Sequence, residues 1–198
     1  MARLQLNKSS LAREAANLRT YQKFLPSLDL KRQQLMAEKA KAQSHIVLME
    51  ERVSELVRQV RRDLPMLSNR EIDLAGLVTL VDYQLVTENV VGTKLPMVEN
   101  IIIEKKSYSK IAKPHWVDDV ARLLQAMLEL RLSMQVAKQR LSLLKIATKT
   151  ITQRVNLFDK VLIPTAAANI KKIKIYLSDD QMAAVVRSKI AKRKRALK

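Results

Sequence analysis

The chain has 198 residues, enough for one ordinary domain, and its 47% apolar but only 4% aromatic content suits helices packed on helices. It has no cysteine, which excludes a disulfide framework, a thiolate metal site and a cysteine nucleophile, and only two glycines, which excludes a glycine-rich phosphate cradle. The net charge of +18 is uneven: residues 1–63 carry 13 basic and 7 acidic side chains, residues 64–115 carry 6 of each, and residues 116–198 carry 18 and 6. Two basic ends call for an acidic partner, nucleic acid or an acidic protein surface, and a neutral middle calls for a different one. No apolar run reaches the roughly 18 residues of a membrane span, and Met1 to Asn7 lacks the apolar core of a signal peptide. The expectation is a cytoplasmic protein.

The first element is a long helix from about Lys8, with Asn7 or Ser9 as its cap, to the residue before Pro65. Leu11, Leu18, Leu25, Ile46, Val53 and Val60 recur at sevens, interleaved with Tyr21, Leu28, Leu35, Ala42, Met49 and Leu56. Spacings of three and four make a narrow apolar seam that only another long helix can cover. Over roughly 55 residues such a helix is about 80 Å long. Pro26 lies inside it and predicts a kink, with an early break as the alternative.

Residues 64–115 change period. Ser68-Asn69-Arg70-Glu71 has the spacing of a capping box and predicts a short helix through Leu77. Val81, Tyr83 and Leu85 then alternate with polar residues, and Ile101 and Ile103 recur in a second run. Between the runs lies Asn89-Val90-Val91-Gly92-Thr93-Lys94, where Gly92 can take positive φ. The pattern predicts a β-hairpin over 80–91 and 94–104. Two strands alone are marginal in water, so the hairpin must pack on the helices or on a partner.

The second long helix starts near Pro114, with Asp118 and Asp119 facing the positive end of its dipole, and runs to about Arg193. Its seam is Val120, Met127, Met134, Leu141, Val155 and Leu162, alternating with Leu123, Leu130, Ala137, Leu144, Ile151 and Phe158. Near Pro164 the phase shifts to Ala166, Ile170, Ile173 and Leu177, a stutter that locally unwinds a supercoil. The fold class is therefore mainly α: one elongated domain (1–63, 64–115, 116–198), a long antiparallel two-helix coiled coil with a small insert of short helix and β-hairpin at one end.

If Asp63 and Trp116 lie side by side, Lys8 falls opposite about Lys171, and the residues beyond have no partner in this chain. That overhang holds Lys171, Lys172, Lys174, Arg187, Lys189, Lys192 and Arg193, and its Ile170, Ile173 and Leu177 would need a foreign surface.

Catalysis is not expected. His45 and His115 are the only histidines, and neither has a second ligand at metal spacing. Asp118 and Asp119 point about 100° apart on a helix and serve its dipole. The basic run Lys192 to Arg195 could bind phosphate, but no aromatic residue adjoins it to stack bases. Neither a metal, a cofactor nor a small-molecule substrate is expected.

Three stretches carry a family resemblance: Leu6-Asn7-Lys8-Ser9-Ser10-Leu11, Asn89 through Pro96, and Thr152 through Phe158 leading to Val161-Leu162-Ile163-Pro164. The sequence resembles the D subunit of the rotary V-type and A-type ATPases over nearly its full length, departing at Pro26. The resemblance implies a non-catalytic central-stalk rotor component, peripheral to the membrane within its complex. Its partners would be the A and B subunits of the catalytic hexamer, the F subunit, and the stalk-base component above the membrane ring, with no nucleic acid. Val86, Val90, Gly92, Leu95 and Ile101 are the expected contacts to stalk partners, and the seven cations named above the expected contacts to the hexamer. The alternative is a basic coiled-coil nucleic-acid binder or scaffold.

Overall fold

The computed structural model describes residues 4–68, 74–108 and 113–196. Helix α1 (Lys8–Asp63) is followed by a 3-10 turn (Pro65–Ser68), strands β1 (Val78–Val90) and β2 (Thr93–Lys105), and helix α2 (Trp116–Leu157). A π-helical turn (Phe158–Leu162) then leads into helix α3 (Ile163–Ala196). The chain forms two compact units, one of residues 1–32 with 150–198 and one of residues 33–149. Each is described by itself below.

In the first unit α1 begins as its sequence dictates. The Asn7 side chain accepts the Ser10 N–H at 2.7 Å and the Asn7 carbonyl accepts the Leu11 N–H at 3.1 Å, so Asn7 is the cap. Helix α1 continues through Pro26 without a break. Tyr21 meets Phe158 edge-on, ring centroids 5.5 Å apart and planes at 87°, and the Asn169 amide lies 3.5 Å from Glu14. The register that sets Lys8 against Lys171 sets Tyr21 against Phe158, as observed. All the seam residues expected in this unit, from Leu11 to Leu28 and from Ile151 to Leu162, are buried or half-buried.

The phase shift near Pro164 has a backbone cause. Proline has no N–H to give, and the residue before it, Ile163, donates to the Phe158 carbonyl five residues back, which closes a π turn. This wider turn carries the seam through the spacing of four that links Phe158, Leu162 and Ala166. The overhang starts later than expected. Ile173 has no exposed surface, and Ile170 and Leu177 are half-buried. These three therefore belong to the chain's own packing and need no foreign surface. The same register brings Leu6, half-buried ahead of α1, to the level of Ile173.

The second unit pairs the rest of α1 with α2. Its seam residues, from Leu35 to Val60 and from Val120 to Leu144, are likewise withheld from water, and Lys138 reaches Glu50 across the pair at 2.9 Å. Thr148 fills the one missing heptad position of α2; buried, it donates its hydroxyl to the Leu144 carbonyl at 2.7 Å. Where the helices meet the insert, Leu64, Leu77, Trp116, Val117, Val120 and Ala121 form a small globular core.

The short helix expected from Ser68 falls mostly outside the described residues. Its described remainder is a turn in which the Leu77 N–H meets the Leu74 carbonyl at 3.3 Å and Gly76 takes φ 69°. The helical turn that does form here, Pro65–Ser68, lies ahead of the expected span.

The hairpin exceeds the expected strands by a residue or two at each base. Its strands pair antiparallel from Val78 with Lys105 to Val90 with Thr93, and the two-residue turn has positive φ at both Val91 (53°) and Gly92 (80°). Only Gly92 was expected to take that conformation. Two positive φ values match the twist of a hairpin, and a β-branched residue such as Val91 takes one against its steric preference.

Candidate partner-binding surfaces

Within the second unit the hairpin is held to the helices at few points. Leu95 is completely buried, and Glu88 on the facing strand accepts an ion pair from Arg140 of α2 at 2.7 Å. Between β2 and the helices lies a cleft of about 400 Å³, lined by Glu38, Lys41, His45, Met97, Val136 and Arg140. Lys41 pairs with Glu38 at 2.9 Å within the cleft wall. Among the described residues no group of three His, Cys, Asp or Glu is placed to hold a metal. His45 and His115 are exposed and stand apart from one another in the sequence of elements, one on α1 and one ahead of α2.

Most of β1 faces water. Leu80, Val81, Tyr83, Leu85 and Val86 are all exposed, and the cross-strand pairs Leu80 with Ile103, Tyr83 with Ile101 and Leu85 with Val98 are apolar on both strands. Exposed apolar residues on a strand whose neighbour is a single strand mark a surface with room for another protein. Of the residues expected to meet stalk partners, Val86 and Gly92 are exposed, Val90 and Ile101 are half-buried, and Leu95 offers no surface at all. Leu80, Tyr83, Leu85 and Met97 are exposed as well and were not among those expected contacts. The signal was hidden because register shifts between Leu80 and Asp82 and between Gln84 and Leu85 break the two-residue alternation twice.

At the foot of the hairpin the chain is pinned to α2. Tyr108 donates its hydroxyl to Asp118 at 2.5 Å, and because ionising the phenol would give up that hydrogen bond and set two anions together, it lies above its ordinary pKa. Lys113 stands over the same ring, 5.4 Å from its centre. Asp119 pairs instead with Arg122 at 2.8 Å.

The other surface is the end of α3. Lys171, Lys172, Lys174, Arg187, Lys189, Lys192 and Arg193 are all exposed, and from Ser178 to residue 196 every residue is. Arg187 lies 3.6 Å from Asp180, a weak internal pair. Met182, Val185, Val186 and Ile190 recur at spacings of three, one and four and run as an exposed apolar stripe along this basic helix.

The sequence profile of the ATP synthase D-subunit family matches residues 10–193, spanning both surfaces and the paired helices. The chain belongs to that family. It is 32% identical to the V-type ATP synthase D subunit of Borreliella burgdorferi over 97% of this chain and 95% of the relative. It is 29% identical to a protein of the same description from Chlamydia trachomatis, over 98% and 96%. A Chlamydia muridarum relative of that description is 27% identical over 98% of this chain and 96% of its own length. As a member of this family, the chain is a component of a rotary ATPase, and its seams of half-buried apolar residues are those of a mainly α coiled coil with a hairpin insert. Among the described residues of the chain, no helix is long and apolar enough to cross a membrane.

Proposed function

We propose that the chain is the central rotor shaft of a V-type rotary ATPase, transmitting torque between a catalytic hexamer of A and B subunits and an ion-translocating ring in the membrane. The family match over residues 10–193 carries this reading. Two helices packed along apolar seams resist bending and twisting better than one. The shaft binds no nucleotide; its turning presents different faces to three catalytic sites in succession, and each face favours one conformation of the site it meets.

The two exposed surfaces divide the partners. The basic end of α3, with Lys171, Lys172, Lys174, Arg187, Lys189, Lys192 and Arg193, meets the hexamer, and the hairpin meets the F subunit and the stalk base. On the hairpin the contacts are Val86, Val90, Gly92 and Ile101 together with Leu80, Tyr83, Leu85 and Met97; fully buried Leu95 sets the strand's position. The protein works in the cytoplasm, peripheral to the membrane.

Removing residues 178–198 tests the reading. No described residue in that stretch is buried, so the truncated chain keeps its fold and melts at the temperature of the whole one. In a reconstituted complex it is expected to lower the number of ions moved per ATP hydrolysed by severalfold. Unchanged coupling would refute the shaft.

A further inference from the structure

The two edges of the hairpin are not alike. Among the described residues the sheet has two strands, so each strand has one edge without a neighbouring strand. Strand β2 lines the cleft against the helices, with Leu95 buried and Pro96 and Val98 half-buried. Strand β1 is the outer one, and residues 79–89 are all exposed. Val90 and Thr93 flank the two-residue turn. In such a hairpin the flanking pair exchanges both backbone bonds, and bonded and non-bonded pairs then alternate along the strands. Glu88 with Leu95 and Val86 with Met97 are therefore bonded pairs, and Asn89, Thr87 and Leu85 turn their N–H and C=O groups away from β2. Thr87 faces Pro96, so the donor that proline lacks falls on the outer edge of β2, where its loss leaves the ladder intact and spoils that edge for a further strand.

Strand β1 has no such guard from Asp82 to Val90. It holds no proline, lysine or arginine, and the residues added at the two register shifts are Val81, ahead of this stretch, and Glu99 in β2. The outward alternation of β1 thus runs unbroken from Asn89 to Tyr83. The Tyr83 N–H is met by the Asp82 carboxylate at 2.8 Å. A side chain of the strand itself stands where the carbonyl of a neighbouring strand would, and it brings a negative charge to the edge. The other carboxylate of β1, Glu88, is already paired with Arg140.

A row of outward backbone groups, flanked by the exposed apolar side chains of Tyr83, Leu85 and Val86, is a template for strand addition. A second copy of the chain fits it poorly, because each copy carries +18 and its β1 would bring no cation to Asp82. We propose that the hairpin binds its partner by taking an extended segment of that protein onto the free edge of β1, as a third strand with apolar residues at alternate positions and a lysine or arginine beside Asp82. That the partner is a stalk component rests on the rotor reading. Two strands are marginal in water, and a third would complete the sheet.

Residue-resolved amide hydrogen exchange reads the edge directly, on the full-length chain alone and bound to the F and stalk-base subunits. In the free chain Leu85, Thr87 and Asn89 are expected to exchange about tenfold or more faster than Val86, Glu88 and Val90. In the complex the two sets are expected to agree within about threefold, because the outward amides gain partners. Docking through side chains alone leaves the alternation in place and overturns the proposal while the rotor reading stands. If neither subunit binds, the rotor reading falls and the strand addition with it. Thr87→Pro removes an outward donor as Pro96 does on the other strand and is expected to weaken binding about tenfold, whereas Thr87→Ala keeps the donor and should stay within about threefold. Equal losses would mean a side-chain contact and overturn the proposal, as would an Asp82→Lys variant that binds as tightly as the natural chain. The exchange comparison needs no variant, so it decides even where Thr87→Pro unfolds the hairpin.

Discussion

The hairpin and the last turns of α3 both expose apolar side chains, but they are supported in opposite ways. The hairpin carries four acidic and two basic side chains, a net charge of −2, and is moored by one fully buried residue, Leu95, and one ion pair, Glu88 with Arg140. The end of α3 is strongly basic, has no buried residue past Ile173, and is held only by its own helical bonds. A moored, largely apolar surface suits a partner that stays, because apolar contact is short-ranged and geometry-dependent. A free, cationic helix suits an acidic cavity that draws it in over a distance and tolerates rotation. The difference teaches that exposure alone says little about a partner; the charge around the apolar residues and the stiffness beneath them say more.

The comparison breaks most visibly at its mooring. Leu95→Ala removes a completely buried side chain and is expected to cost about 2–5 kcal/mol. Val185→Ala, on the exposed stripe of α3, is expected to change stability by less than about 0.5 kcal/mol. Urea melts of the two variants decide the matter, and equal losses would mean that the hairpin is not moored through Leu95. A smaller effect of opposite sign is expected at the turn. Val91→Gly relieves a β-branched residue at φ 53° and should raise stability by about 1 kcal/mol, read as a higher urea midpoint. A lower midpoint would show that the half-buried Val91 side chain contributes more through packing than its backbone costs. The smallest change concerns the ion pairs. Arg140→Ala should cost about 0.5 kcal/mol because Glu88 is partly solvated, whereas Asp180→Ala, whose pair with Arg187 is longer and more exposed, should leave the midpoint where it was.

Much of this molecule was legible before any coordinates. Heptads are written into sequence because a helix repeats its faces at a fixed period, so the seam residues from Leu11 to Leu177 could be named one by one and all proved withheld from water. A cap at Asn7 or Ser9, of which the structure uses Asn7, and the phase change at Pro164 were legible for the same reason, being consequences of local backbone chemistry. The surfaces were less so. Leu95 was expected to face a partner and is buried, while Leu80 and Tyr83 are exposed and were not among the expected contacts. Two register shifts in the hairpin turn its faces, and no period in the sequence announces them.

The sequence by itself determined that two long helices pair along heptad seams, that a hairpin interrupts them, and that the excess positive charge lies outside it. These follow from periodicity, turn chemistry and composition, all local properties. The tertiary structure alone decided which hairpin side chains meet water, that Ile173 is packed by this chain, that Leu64, Leu77 and Trp116 share a core, and that Tyr21 meets Phe158. Each of these depends on which residues distant in sequence come to the same place, and that is set by packing across elements rather than by the pattern within one.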